Sequence, residues 1–154
     1  MRAPALALML CSLAACGQEE SAVLGAIDRF FAAMTERDTA AMASTLLPGG
    51  SLHIAPRSGG DRARSIPFTD YLVQLAQGRQ RLVERYWRPR VELAGPSIAV
   101  ACMEYDFHAD GHFSHCGVDV FTLVRQPDGW RIASVAFTRQ AEGCRPSPLG
   151  PLRE

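Results

Sequence analysis

Three residues of this chain have the types and the spacing to do chemistry together: Tyr105, His115 and Asp119. All lie in the stretch from Tyr105 to Ile132, YDFHADGHFSHCGVDVFTLVRQPDGWRI. Asp119 could act as acceptor or general base, with His115 and Tyr105 as donors. A carboxylate among aromatic neighbours such as Phe121 and Trp130 is expected to have a raised pKa, which suits it to base work near neutral pH. The plainer reading is structural, with Asp119 holding a backbone group and His115 satisfied inside a core. Four residues along a strand span about 13 Å. His115 and Asp119 therefore cannot touch directly, but a ligand lying across a curved sheet could meet both.

Two turns position these side chains. Ala109-Asp110-Gly111 is a tight hairpin turn, with glycine where positive φ is cheap. Gln126-Pro127-Asp128-Gly129 is a second, with proline pre-set for an early turn position. Unbroken register from the first turn puts His108 opposite His112, Tyr105 opposite His115 and Ala101 opposite Asp119. The second puts Arg125 opposite Trp130 and Asp119 opposite Ala136. Alternation then groups Met103, Tyr105, Phe107, Phe113, His115, Asp119, Phe121, Leu123, Trp130, Ile132, Ser134 and Thr138 on one face. Glu104, Asp106, His108, His112, Ser114, Cys116, Val118, Val120, Val135 and Phe137 take the other. The first face is the more aromatic and is assigned to the concave, helix-covered side. A β-bulge would shift these positions by one and exchange the faces.

The helices precede the strands. Ser21 to about Arg37 reads as an amphipathic helix capped by Ser21, with Val23, Ile27, Phe30, Phe31 and Met34 on its inner stripe. Thr39 caps a shorter helix carrying Met42, Leu46 and Leu47, stopped by Pro48-Gly49-Gly50. Ser51 to Ala55 is a short strand and 56–65 a polar loop. A third helix over about 67–77 turns Phe68, Tyr71, Leu72 and Leu75 inward. Strands follow at 81–94 (broken at Pro89), 97–108, 112–125 and 130–140. The expected pocket is thus Asp119 and His115 with Tyr105, Tyr71, Trp130, Phe31, Phe121 and Thr138.

Helices gathered first and strands last argue an α+β fold with the helices on one sheet face. The helical half, the YDF-turn-HCGVDVFTLV block and the GWRI strand resemble the nuclear transport factor 2-like superfamily, which includes the SnoaL-like and ketosteroid isomerase-like proteins. The resemblance covers about residues 21–144. It implies a cone-shaped fold, three N-terminal helices packed on a curved antiparallel sheet. Ketosteroid isomerases use an Asp base with a Tyr and a protonated Asp in an oxyanion hole. Asp119, Tyr105 and Tyr71 are the matching types, but they do not align onto that pattern residue by residue, so no activity is carried over.

Residues 1–15 carry Arg2, an apolar run from Ala3 to Leu13, and then Leu13-Ala14-Ala15-Cys16. This resembles a bacterial lipobox and implies cleavage before Cys16, lipidation there, and a place in the cell envelope on the periplasmic face. The run is too short to span a bilayer. The expected organisation is a signal peptide over 1–15, a tether over 16–20, one domain over 21–144 and a Pro-rich tail over 145–154. The full chain balances 16 basic against 16 acidic residues; loss of Arg2 leaves one acid in excess, which gives no support to nucleic-acid binding. Cys102, Cys116 and Cys144 would remain as thiols. Cys116 and Cys144 are the expected disulfide, because Cys144 follows the strand that pairs with Cys116, whereas Cys102 reads as buried. No CxxC motif, phosphate loop or GxSxG is present, Ser51 and Ser58 lack a nucleophile's setting, and no cofactor is expected. His108, His112, Asp106 and Cys116 cluster near a turn but read as a solvated hairpin tip, so no metal is expected. The Arg-rich segment 57–90, with Asp61, Asp70 and Glu84, reads as solvated surface.

Three functions fit. The first is a non-catalytic envelope lipoprotein that binds a small apolar molecule. The second is an isomerase, cyclase or dehydratase using Asp119 or His115 as base. The third is a homodimeric interaction module.

Overall fold

The computed structural model describes residues 5–57 and 62–153. Arg2 of the leader, and Ser58 and Asp61 of the polar loop, lie outside them. The elements are α1 (Ala5–Glu36), α2 (Thr39–Thr45), β1 (Leu46–Ile54), β2 (Arg64–Pro67), α3 (Phe68–Gln77), β3 (Leu82–Leu93), β4 (Ile98–Ala109), β5 (His112–Gln126) and β6 (Gly129–Phe137). The strands form one sheet in the order β2-β1-β6-β5-β4-β3. Every pairing is antiparallel except β1 with β6, which is parallel. The fold is α+β, with three helices on a curved six-stranded sheet.

Helix α1 buries Val23, Ile27, Phe30, Phe31 and Met34, the stripe that helical spacing selects. Ser21 does not cap it, because the helix runs through this position, and residues 16–20, expected as a tether, are helical. The helix ends in paired backbone bonds, Asp38 N–H to Ala33 O and Arg37 N–H to Met34 O, with Arg37 left-handed at φ 56°. The Arg37 guanidinium then donates to Leu75 O (2.7 Å) and Gln80 O, tying α1 to the end of α3.

Asp38, not Thr39, caps α2, accepting from Ala41 N at 2.9 Å. Aspartate is the better cap of the two. Leu46 and Leu47 belong to β1, not to the helix. Pro48-Gly49-Gly50 does not end an element; it makes an irregularity inside β1, where the register with β6 shifts between Leu46 and Ser51. A Cβ at Gly50 would lie 2.3 Å from Ala133 O and 2.4 Å from the Phe68 ring, so glycine alone lets strand and helix approach this closely. Part of the expected polar loop is the edge strand β2.

The hairpin registers depart from simple counting at two bulges. Between β4 and β5 the pairs are Ala109↔His112 and His108↔Phe113, then Phe107↔His115, Tyr105↔Gly117, Met103↔Asp119 and Ala101↔Phe121. Ser114 is the extra residue. Arg125 faces Trp130 as counted, but Ala133 is extra in β6, so Asp119 faces Phe137. The bulges correct several faces. Phe113 turns outward and is 48 % exposed. Ser114, Val135 and Phe137 line the concave side, while Thr138 lies on the convex side.

Candidate functional site

A cavity of about 390 Å³ opens between α1, α3 and the concave face of the sheet. Its size suits a small organic molecule. Phe30, Phe31 and Tyr71 from the helices meet Phe121, Tyr105 and Phe107 from the sheet. Phe121 takes both helix phenylalanines edge-on, at ring separations of 5.9 and 5.8 Å, and Tyr71 stacks on Phe30 at 6.2 Å. Into this aromatic wall the fold sets Glu84, His115, Asp119 and Arg139.

Asp119 is 2 % exposed. Its carboxyl group interacts with that of Glu84, which lines the same cavity. Its Oδ2 is buried and has no protein partner among the described residues. Burial pushes Asp119 up to about 7, against a smaller lowering influence of Glu84. Glu84 rises well above the usual carboxylate range, first through burial, then through the neighbouring Asp119 and the charge of Asp106. Two neighbouring carboxyl groups, one of them buried, cannot both ionise cheaply. The pair therefore resists full ionisation and holds its protons to higher pH than free carboxyl groups do.

His115 is 7 % exposed. Its ring stacks on Phe107 at 4.7 Å and meets Tyr105 edge-on at 5.8 Å; Nδ1 lies 3.0 Å from Ser114 Oγ. Burial, then the charges of Arg139 and Arg57, push its pKa down to about 4, so the imidazole is neutral at physiological pH. Tyr105, 1 % exposed, donates its hydroxyl to Thr138 O at 2.8 Å. Burial and the nearby Glu84 and Asp119 raise its phenol. Its proton is held by the backbone rather than offered to the cavity. Tyr71 is raised as well, by burial and Glu84.

Phe31, Tyr71, Tyr105, His115, Asp119 and Phe121 thus line one cavity. Two expected members do not. Trp130 is buried toward the other end of the sheet, where Nε1 donates to Glu19 Oε2 at 3.2 Å and Arg125 covers the ring at 5.6 Å. Thr138 accepts from Val118 N at 2.9 Å on the convex side, put there by the β6 bulge. Conversely, Glu84 and Arg139 belong to the site although neither stood out in the sequence. The parity of Leu82, Glu84 and Tyr86 was the available signal for Glu84. It was obscured because Val83 and Trp87 make the opposite face equally apolar.

On the convex side, Asp106 takes two hydrogen bonds from Arg85, which hold it below the ordinary carboxylate range despite its burial. His108 Nε2 lies 3.4 Å from the same carboxylate. Among the described residues no three His, Cys, Asp or Glu side chains are grouped to hold a metal ion. Cys116 and Cys144 form a disulfide. Cys102 is a half-buried free thiol beside a convex groove, and Cys16 is exposed.

The cone with its helix-covered aromatic cavity defines an NTF2-like protein. A Novosphingobium aromaticivorans NTF2-like protein with a cystatin-like fold superposes with TM-score 0.67 at 14 % identity, covering 88 % of this chain and 90 % of that one. A Salmonella enterica NTF2-like superfamily protein gives 0.65 at 17 %, covering 84 % and 96 %. A Streptomyces avermitilis protein described as a putative dehydratase of the NTF2-like family gives 0.62 at 18 %, covering 78 % and 94 %. No curated protein matches the chain in sequence. Residues 18–138 match the family described as "Putative lumazine-binding", and the chain belongs to that family.

Proposed function

We propose that this chain is a cell-envelope lipoprotein whose cone binds a small, flat, mostly apolar molecule with a hydrogen-bonding edge and does not convert it. One observation carries the reading: the Glu84–Asp119 pair in a cavity walled largely by apolar and aromatic side chains. The pair offers acceptor oxygens, one of them unpartnered among the described residues, and holds its protons more tightly than free carboxyl groups do. An edge that carries both N–H and C=O groups complements it. Lumazine, named in the family's description, is a bicyclic ring with such an edge. The tyrosine hydroxyl that could steady a developing charge is otherwise engaged, which weighs against catalysis. Tyr105 donates to Thr138 O, and the neutral His115 ring is stacked on Phe107. The open cavity also favours ligand binding over a pure interaction module.

Titration of lumazine, followed by its own fluorescence, tests this. Saturable binding is expected, weakened about tenfold in Asp119→Asn and Glu84→Gln, roughly one hydrogen bond to a charged group each. Equal binding by both variants would remove the pair from the account.

A second reading is favoured by the raised pKa of Asp119, which would equip it as a base near pH 7. In that case the protein is a proton-transfer enzyme of isomerase, cyclase or dehydratase type. Turnover of an enolisable substrate, lost in Asp119→Asn, would establish it.

The anchor belongs to the same proposal. Cys16 is exposed, and no helix among the described residues is long and apolar enough to cross a membrane. Attachment through Cys16 would hold the domain at the periplasmic face.

A further inference from the structure

The cavity is electrically asymmetric. The Glu84–Asp119 pair resists full ionisation, and Asp119 is almost wholly withdrawn from solvent. Arg139 lines the same cavity but is exposed, and it makes no ion pair among the described residues. It follows β6, where Thr138 N bonds Val118 O and Gln140 bridges to Cys116. That alternation aims Arg139 toward the concave side, next to Gly117 and the Tyr105 ring, about two residues along β5 from Asp119. Its charge is felt at His115 and Tyr105, and Arg57 adds to it at His115. The site therefore holds an acid pair, with Asp119 buried, and an exposed guanidinium that has no ion pair among the described residues.

We infer that the cavity binds its ligand in one polarity, with a neutral hydrogen-bonding ring edge at Glu84–Asp119 and an anionic substituent, a carboxylate or a phosphate, at Arg139. This rests on the ligand-binding reading above and narrows the ligand to acid-bearing members of the flat heteroaromatic class. A guanidinium meets either anion through paired N–H donors, which an ammonium cannot reproduce. A reversed ligand would set its anion against Asp119, where like charges repel in a poorly solvated site.

The test compares pterin with pterin-6-carboxylate, both fluorescent, on the wild type, Arg139→Gln, Arg139→Lys and Asp119→Asn. The wild type should bind the carboxylate at least fivefold more tightly. That preference should vanish in Arg139→Gln, return in part in Arg139→Lys, and shrink as salt rises. Asp119→Asn should weaken both probes alike and keep the preference. Arg139 is exposed, so circular dichroism should show all its variants folded. Equal affinity of the wild type for both probes, or a preference that survives Arg139→Gln, overturns the inference and leaves the binding reading standing. No binding of either probe overturns both.

Discussion

Asp119 on β5 and Glu84 on β3 line one cavity and interact across β4, the strand that separates them in the sheet. Glu84 faces Phe107 and Asp119 faces Met103 in the β4 registers, so the pair meets diagonally, over the Tyr105 side chain. Only a sheet curled toward its helices brings two such carboxyl groups together. Gly117 lets the Tyr105 ring and the Thr138 backbone close on β5: a Cβ there would sit 2.0 Å from Thr138 O and 2.8 Å from the Tyr105 ring.

The pair should tilt the pH dependence of stability. Asp119 titrates near 7 in the folded protein against 3.8 for the free side chain. A raised folded pKa gives stability that is whole below about pH 4 and is lost as pH climbs through 7. Asp119→Asn should therefore gain on the wild type by about 2–4 kcal/mol between pH 4 and pH 8, at ~1.4 kcal/mol per pKa unit. Urea unfolding of both proteins at the two pH values reads the difference directly. Asp106, held down by Arg85, contributes the opposite trend at acid pH but does so equally in both proteins.

Gly117→Ala should cost about 2–3 kcal/mol, because the new methyl meets a backbone carbonyl that cannot move aside. Tyr105→Phe should cost only about 1 kcal/mol, the worth of one hydrogen bond. If Tyr105 is a positioning residue, ligand affinity in Tyr105→Phe stays within about twofold of the wild type, on the scale where 1.4 kcal/mol is tenfold. A tenfold or greater loss would make its hydroxyl a direct ligand contact.

The elements were readable where a period was long and unbroken. The α1 stripe, the two turns and the four long strands follow directly from spacing. The site was harder, because a single extra residue exchanges faces. Ser114 and Ala133 are ordinary residues with nothing local to mark a bulge, yet they move Phe113 and Thr138 outward and Val135 and Phe137 inward. Asp119 kept its face because it lies an even number of residues from Phe121 and Leu123, between the two bulges. Glu84 was hidden among arginines, and Trp130 shared the concave face but lay too far along it to reach the cavity.

The disulfide closes a loop of 28 residues between Cys116 and Cys144. Reduction, or Cys144→Ser, should lower stability by about 3 kcal/mol. Peptide mapping without reductant should recover the two cysteines linked and Cys102 as a free thiol. Recovery of Cys116 and Cys144 as thiols from periplasmic material would contradict this.

Membrane attachment through Cys16 predicts that Cys16→Ala takes up no labelled palmitate and leaves the membrane fraction. Glu19 already bonds Trp130 and Arg125, so the anchored domain would stand almost directly on the bilayer. A wild-type protein that is unlabelled and soluble would remove the anchor from the account.

The carboxyl pair itself is most directly read by carbon-13 NMR of protein labelled at the Asp and Glu side-chain carboxyls, titrated with and without lumazine. Two resonances, assigned with Asp119→Asn and Glu84→Gln, should titrate well above the rest, and both should shift when lumazine is added. If every carboxyl group titrates near its ordinary value, or if the two shifted resonances ignore lumazine at concentrations that saturate its fluorescence change, the pair is not the ligand-recognition site.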